Sequence, residues 1–167
     1  AGISIMESSE IYTQKNAGNV SELAKNLKFS EIQGKIGMGH TRWATHGEPT
    51  DLNAHPHLDQ TGKITLIHNG IIENYNSIKK VLIDKGYEFQ SKTDSEVLVQ
   101  LISDIYFSDD LSFEQAVQVA LTQVIGTYGI VTFCSEEPDT LVAARHGSPM
   151  VLGIGEDDYF IASDASP

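Results

Sequence analysis

Apolar and polar positions along the chain change period several times, and each change marks an element. Gly2 to Met6 reads as a strand, with Ile11 to Gln14 as its partner across a polar turn at Glu7-Ser-Ser-Glu10. Asn19-Val-Ser-Glu22 has the capping-box pattern, and Val20, Leu23, Ala24 and Leu27 follow at helical spacing. Ile36 to Thr45 reads as extended, followed by a polar, Pro-containing loop from Gly47 to Gly62. Lys63 to Ile67 alternates as a strand does. After Gly70 the apolar residues Ile71, Tyr75, Ile78 and Leu82 fit a helix that ends near Gly86. Two further helices are predicted, one from Thr93 to about Tyr106 and one from Ser112 to about Val124. The remainder is a series of short β-rich runs: Gly129–Phe133, Leu141–Ala144, Val151–Ile154 and Tyr159–Ala162. Strands, then helices, then strands again predict an α/β domain with largely antiparallel sheets packed in layers.

Length and charge narrow the function classes. A chain of 167 residues predicts one domain. Its formal net charge of −12 argues against a phosphate-backbone binder, because such proteins need clustered cations. Arginine occurs only as Arg42 and Arg145. No apolar run approaches the roughly 18 residues of a bilayer span, so the chain reads as soluble with no membrane partner. The single cysteine, Cys134, excludes an internal disulfide framework and a thiolate-rich metal site, and fits a reducing compartment. No signal peptide is visible, and the first residue is Ala1 rather than Met, as in a piece of a longer protein.

Candidate chemistry gathers in four segments. The first, Gly39-His-Thr-Arg-Trp-Ala-Thr-His-Gly47, holds the only Trp and one of the two Arg. If it is extended, His40, Arg42, Ala44 and His46 share one face. Arg42 then either faces water beside a packed Trp43 or holds a carboxylate bidentately. The second is Asn53-Ala-His-Pro-His57. His46, His55 and His57 form a loose zinc-like set, but no helical H-x-x-x-H supports it. Histidines that hydrogen-bond a loop into place outweigh the metal reading. The third, His68-Asn-Gly70, reads either as a hairpin or as a strand-to-helix turn. The turn would present an Asn amide and a Gly N–H together, as an oxyanion hole requires. The fourth, Thr93-Asp-Ser-Glu96, is a capping box in which Asp94 either answers the helix dipole or binds an ammonium. Cys134 ends an apolar run without a nearby activating base, so it reads as a small buried hydrophobe, not a nucleophile. Gly126–Gly129 and Arg145–Pro149 read as turns.

Taken together, His40–Gly47, Asn53–His57, His68–Asn74 and Thr93–Glu96 resemble the class II glutamine amidotransferases in order and spacing. Ala143–Pro149 and Ile161–Asp164 also resemble later strands of that family, so the likeness covers essentially the whole chain. The Thr41–Gly47 form favours the branch that aminates fructose-6-phosphate over the amidophosphoribosyltransferase and asparagine synthetase branches. The resemblance implies an α+β, N-terminal-nucleophile fold: a four-layer αββα sandwich of two antiparallel sheets. Residues 1–167 would then be a partial glutaminase domain, without the segment bearing the nucleophilic cysteine, the last strands and a sugar isomerase domain. Such a piece would be inactive by itself and would expose sheet edges that favour association.

The resemblance also implies residue roles. Arg42 would hold the α-carboxylate of L-glutamine and Asp94 its α-ammonium, while Asn69 and Gly70 would form the oxyanion hole. Trp43, Thr45, His46 and His55 would line the pocket, without metal or cofactor. The intact enzyme would be a cytoplasmic homodimer whose second substrate is fructose-6-phosphate. The rival readings are a non-catalytic amino-acid-binding module and a histidine-based metallohydrolase.

Overall fold

The computed structural model describes residues 1–27, 33–41 and 50–165. Strands β1 (Gly2–Glu7), β2 (Glu10–Lys15) and β3 (Ile36–His40) form an antiparallel sheet in the order β2-β1-β3. A second antiparallel sheet is built from β4 (His57–Leu58), β5 (Ile64–Ile72), β6 (Gly126–Cys134) and β7 (Leu141–His146), in chain order. Strands β8 (Val151–Ile154) and β9 (Tyr159–Ala162) pair separately. Helix α1 (Val20–Asn26) follows β2, and α2 (Tyr75–Asp84), α3 (Asp94–Ser108) and α4 (Phe113–Thr122) lie between β5 and β6.

Alternation along β5 and β6 divides the interior in two. Ile64, Leu66 and Ile72 of β5 and Ile130 and Cys134 of β6 pack with Leu82, Val97, Leu98, Ile102, Phe113 and Val117 on the helices. Val131 and Phe133 turn the other way and meet Met6 of β1 and Met38 of β3. Helices α2–α4, the four-stranded sheet and the three-stranded sheet are therefore stacked in that order, an α+β arrangement that matches the αββ part of the sandwich that the resemblance implies. The inter-sheet layer also holds hydroxyls. Ser4 Oγ lies 2.6 Å from Thr13 Oγ1 and 2.9 Å from Thr65 Oγ1, so the buried hydroxyls of Ser4 and Thr65 are partnered.

The paired strands near the start, helices α3 and α4 and the tail strands lie where periodicity puts them. Three segments do not. Asn69 and Gly70 form neither a hairpin nor a strand-to-helix turn: β5 continues to Ile72, pairing Asn69 with Gly129 and Gly70 with Tyr128. Helix α2 accordingly starts at Tyr75 rather than just after Gly70. Gly126–Gly129 is the start of β6, not a turn, and Arg145 and His146 end β7, leaving Gly147 (φ 74°) to turn the chain. The reason is mutual. Gly70 (φ 137°) and Gly126 (φ 134°) face opposite backbones so closely that a Cβ would strike the Thr127 carbonyl or the Ile71 carbonyl. The glycines that look like breaks in the sequence are what let these two strands stay paired.

The polar loop before β5 is likewise more ordered than its composition predicts. His57–Leu58 pairs with β5, and buried Asp59 accepts hydrogen bonds from Thr61 N, Lys63 N, Ile64 N and Ser103 Oγ at 2.8–3.1 Å. Strand β3 itself ends at His40, and 42–49, most of the stretch predicted to extend it to Thr45, lie outside the described residues.

Candidate active site

A cavity of about 320 Å³ opens where the ends of β3 and β5 meet the start of α3 and the 53–57 loop. Because side chains alternate on a strand, His68 faces the helices and Asn69 faces the opposing sheet. The cavity sits at the end of the sheet, where both reach it. Its wall includes His40, His55, His68, Asn69, Gly70 and Asp94. A second cavity of about 390 Å³ shares His40, Thr41, His68 and Asn69 and extends between the sheets toward Val131, Met150 and Ile161.

Asn69 is held on two sides. His40 Nε2 lies 2.8 Å from its Oδ1, and Ser148 Oγ donates to its backbone carbonyl at 3.1 Å. The Asn69 carbonyl and the Gly70 N–H belong to one planar trans peptide and point in opposite directions. Ser148 therefore fixes the Gly70 N–H away from itself.

Asp94 opens α3. Thr93 Oγ1 caps that helix by accepting from Glu96 N at 3.2 Å. The return half of the predicted capping box is displaced: the Glu96 carboxylate takes the amides of Gln90 and Ser91 instead. Asp94 Oδ2 accepts from Ile72 N at 2.8 Å, tying the helix start to the end of β5. Its side chain stays 23% exposed, so one face of the carboxylate remains open to a ligand.

Histidines brace these groups from behind. His55 Nε2 is 2.9 Å from Ser95 Oγ, which is 3.0 Å from His68 Nδ1. His57 Nε2 is 3.0 Å from Thr93 Oγ1. The rings of His40 and His55 lie 4.4 Å apart, and those of His55 and His57 4.8 Å apart. Asn53 Oδ1 accepts from Lys92 N at 3.1 Å, anchoring the loop to the approach of α3. Burial pushes the His68 imidazole below its ordinary pKa, against an opposing pull from Asp94, whose Oδ2 is 4.0 Å from Nδ1. Among the described residues, no three His, Cys, Asp or Glu side chains are grouped as a metal site would need.

Of the residues singled out in the sequence, the structure brings His55, Asn69, Gly70 and Asp94 together. Arg42, Trp43, Thr45 and His46 lie outside the described residues. Cys134 lies at the far end of β6 in the helix-side core, fully buried, and burial pushes its thiol pKa up. Sequence reasoning missed Ser95, Ser148 and the bracing role of His68. Ser95 and His68 adjoin the motif residues Asp94 and Asn69, so adjacency was their only signal. Ser148, 79 positions from Asn69, had none.

Comparison with known proteins follows the same lines. Glutamine–fructose-6-phosphate aminotransferase (isomerizing) of Clostridium perfringens is 48% identical over 98% of this chain and 26% of that protein. The protein of the same name from Chlorobaculum tepidum is 50% identical over 100% of this chain and 28% of its own length. The chain thus spans about a quarter of the length of these relatives. Among solved structures, glutamine phosphoribosylpyrophosphate amidotransferase from B. subtilis, complexed with ADP and GMP, superposes with a TM-score of 0.80 at 27% identity. That match covers 97% of this chain and 35% of the other. A structure described as the allosteric regulatory enzyme of purine biosynthesis gives 0.82 at 28% identity, with the same coverage. No helix among the described residues is long and apolar enough to cross a membrane. The family described as glutamine amidotransferase domain matches residues 26–165, and with the shared fold this means that the chain belongs to the glutamine amidotransferase domain family.

Proposed function

We propose that residues 1–167 are part of the glutaminase domain of a glutamine–fructose-6-phosphate aminotransferase. The domain hydrolyses the side-chain amide of L-glutamine, and the ammonia released passes to fructose-6-phosphate bound elsewhere in the parent protein. Identities of 48–50% to such aminotransferases, against 27–28% to the phosphoribosylpyrophosphate and purine enzymes, favour this acceptor.

The observation that carries the reading is the convergence of Asn69, Gly70 and Asp94 on one cavity of a size suited to a small amino acid. Asp94 pairs with the α-ammonium and Arg42 with the α-carboxylate, two opposite charges matched to a zwitterion. A cysteine thiolate attacks the amide carbon, its proton having gone to the α-amino group of the same residue. The carbonyl oxygen becomes an oxyanion, which the Asn69 amide and the Gly70 N–H stabilise. The C–N bond then breaks, ammonia leaves with the returned proton, and water hydrolyses the thioester to glutamate. His55 lines this cavity, and the family resemblance assigns Trp43, Thr45 and His46 to glutamine binding with it. The nucleophile belongs to the mature N-terminus of the parent protein and not to Cys134, which the core encloses.

Calorimetric titration of the 167-residue chain tests this. L-glutamine binds, D-glutamine does not, and Asp94→Ala weakens binding at least about tenfold, as expected when one member of a charge pair is removed. The same chain releases no ammonia from glutamine. Equal binding of both enantiomers, or ammonia release abolished by Cys134→Ala, would overturn the assignment.

A further inference from the structure

We propose that His40 is a positioning residue that sets which end of the Asn69 carboxamide faces the cavity. The inference rests on the reading of Asn69 as an oxyanion donor and adds the device that keeps it a donor. A carboxamide has two ends of nearly equal shape and opposite polarity: NH₂ stabilises a developing oxyanion, whereas C=O repels it. Rotation by half a turn exchanges them, and alternation along β5 does nothing to prevent that rotation. The contact that does is the one between His40 Nε2 and Asn69 Oδ1 at 2.8 Å. Oδ1 only accepts, so Nε2 carries the proton and donates. With its oxygen taken, Asn69 presents Nδ2 elsewhere. An imidazolium would donate from Nε2 equally well, so the orientation survives protonation of His40.

His40 is itself well placed to impose a direction. It ends β3 opposite Gly2 of β1, so its backbone belongs to the three-stranded sheet while Asn69 belongs to the four-stranded one. Its ring lies 4.4 Å from that of His55, which is tied to Ser95 at the start of α3. The donor's position is thus set by elements other than the one it orients. The Asn69 backbone carbonyl is independently held by Ser148, so rotation about the side chain is the remaining freedom, and His40 removes it.

Two measurements test this. In the ¹⁵N spectrum of the chain, the neutral His40 ring carries its proton on Nε2; a proton on Nδ1 alone overturns the proposal. Steady-state glutamine hydrolysis by the parent enzyme supplies the second test. Asn69→Ala lowers kcat by about 100- to 1,000-fold, the loss typical of one oxyanion donor. His40→Leu lowers kcat by at least about tenfold while KM stays within about threefold, because the interaction lost is made only in the transition state. His40→Gln, which keeps an N–H donor, recovers most of that loss. The double variant His40→Leu/Asn69→Ala is no slower than Asn69→Ala alone. Wild-type kcat in His40→Leu, or losses that multiply in the double variant, would overturn the role of His40. A wild-type kcat in Asn69→Ala would instead overturn the functional reading on which it rests.

Discussion

His68, Asn69 and Gly70 are consecutive on β5, and the pleat sends the first toward the helices and the second toward the opposing sheet. Gly70 combines a positive φ of 137° with a site where a Cβ would meet the Thr127 carbonyl. Gly70→Ala is therefore expected to cost at least about 2 kcal/mol, through strain and lost β5–β6 pairing, measured by urea unfolding. Burial holds the His68 imidazole below the ordinary value of 6.5, so the folded chain binds that proton less readily than the unfolded one. The His68 contribution is fully present above that value and is lost as the pH falls below 6.5 and through the depressed folded value. The urea midpoint should fall between pH 7 and pH 5, and less steeply in His68→Gln. An unchanged slope in that variant would assign the titration to other groups.

Elements with a clean period were legible from the sequence, and those built on long-range pairing were not. Ser112 and Gln115 form a complete capping box on α4, each side chain taking the other's backbone N–H. Ser112→Ala should cost about 1 kcal/mol, read from the shift in the unfolding midpoint. Helix α3 shows the limit of a stripe argument. Val97, Leu98, Leu101, Ile102 and Ile105 are buried as the spacing predicts, but so are Ser95, Glu96, Gln100 and Ser103. The polar face is enclosed because Glu96, Gln100 and Ser103 serve neighbouring segments: Glu96 holds the amides of Gln90 and Ser91, Gln100 that of Gln60, and Ser103 the Asp59 carboxylate. The continuation of β5 through Asn69-Gly70 was hidden for a related reason. Its partner residues lie about 60 positions away on β6, and Asn-Gly locally favours a turn.

At the scale of the whole molecule, the four-stranded sheet is covered on both faces, whereas the β8–β9 pair is not. Leu152, Ile154, Tyr159 and Phe160 are each at least 60% exposed, with Ile154 directly opposite Tyr159. Apolar side chains on so small a sheet promote association, since exposed strands are templates for further pairing. Sedimentation velocity of the 167-residue chain should show mass rising with concentration, and Ile154→Lys should suppress it. A monomer across the concentration range would count against this surface as the cause. The net charge of −12 opposes association, so added salt should strengthen it.

The residue sequence alone determined the period of each helix and most strands, the antiparallel α+β class, the family resemblance and the identity of Asn69, Gly70 and Asp94 as candidates. These follow from local spacing and from short motifs, which need no knowledge of what lies across the fold. Only the tertiary structure decided that Asn69-Gly70 is strand rather than turn and that Cys134 is walled into the helix-side core. It alone showed that His40, His55, Ser95 and Ser148 brace the site. Each of those outcomes depends on a partner dozens of residues away, and a hydrogen bond between β3 and β5 or a carbonyl facing Gly70 leaves no periodic trace in either segment.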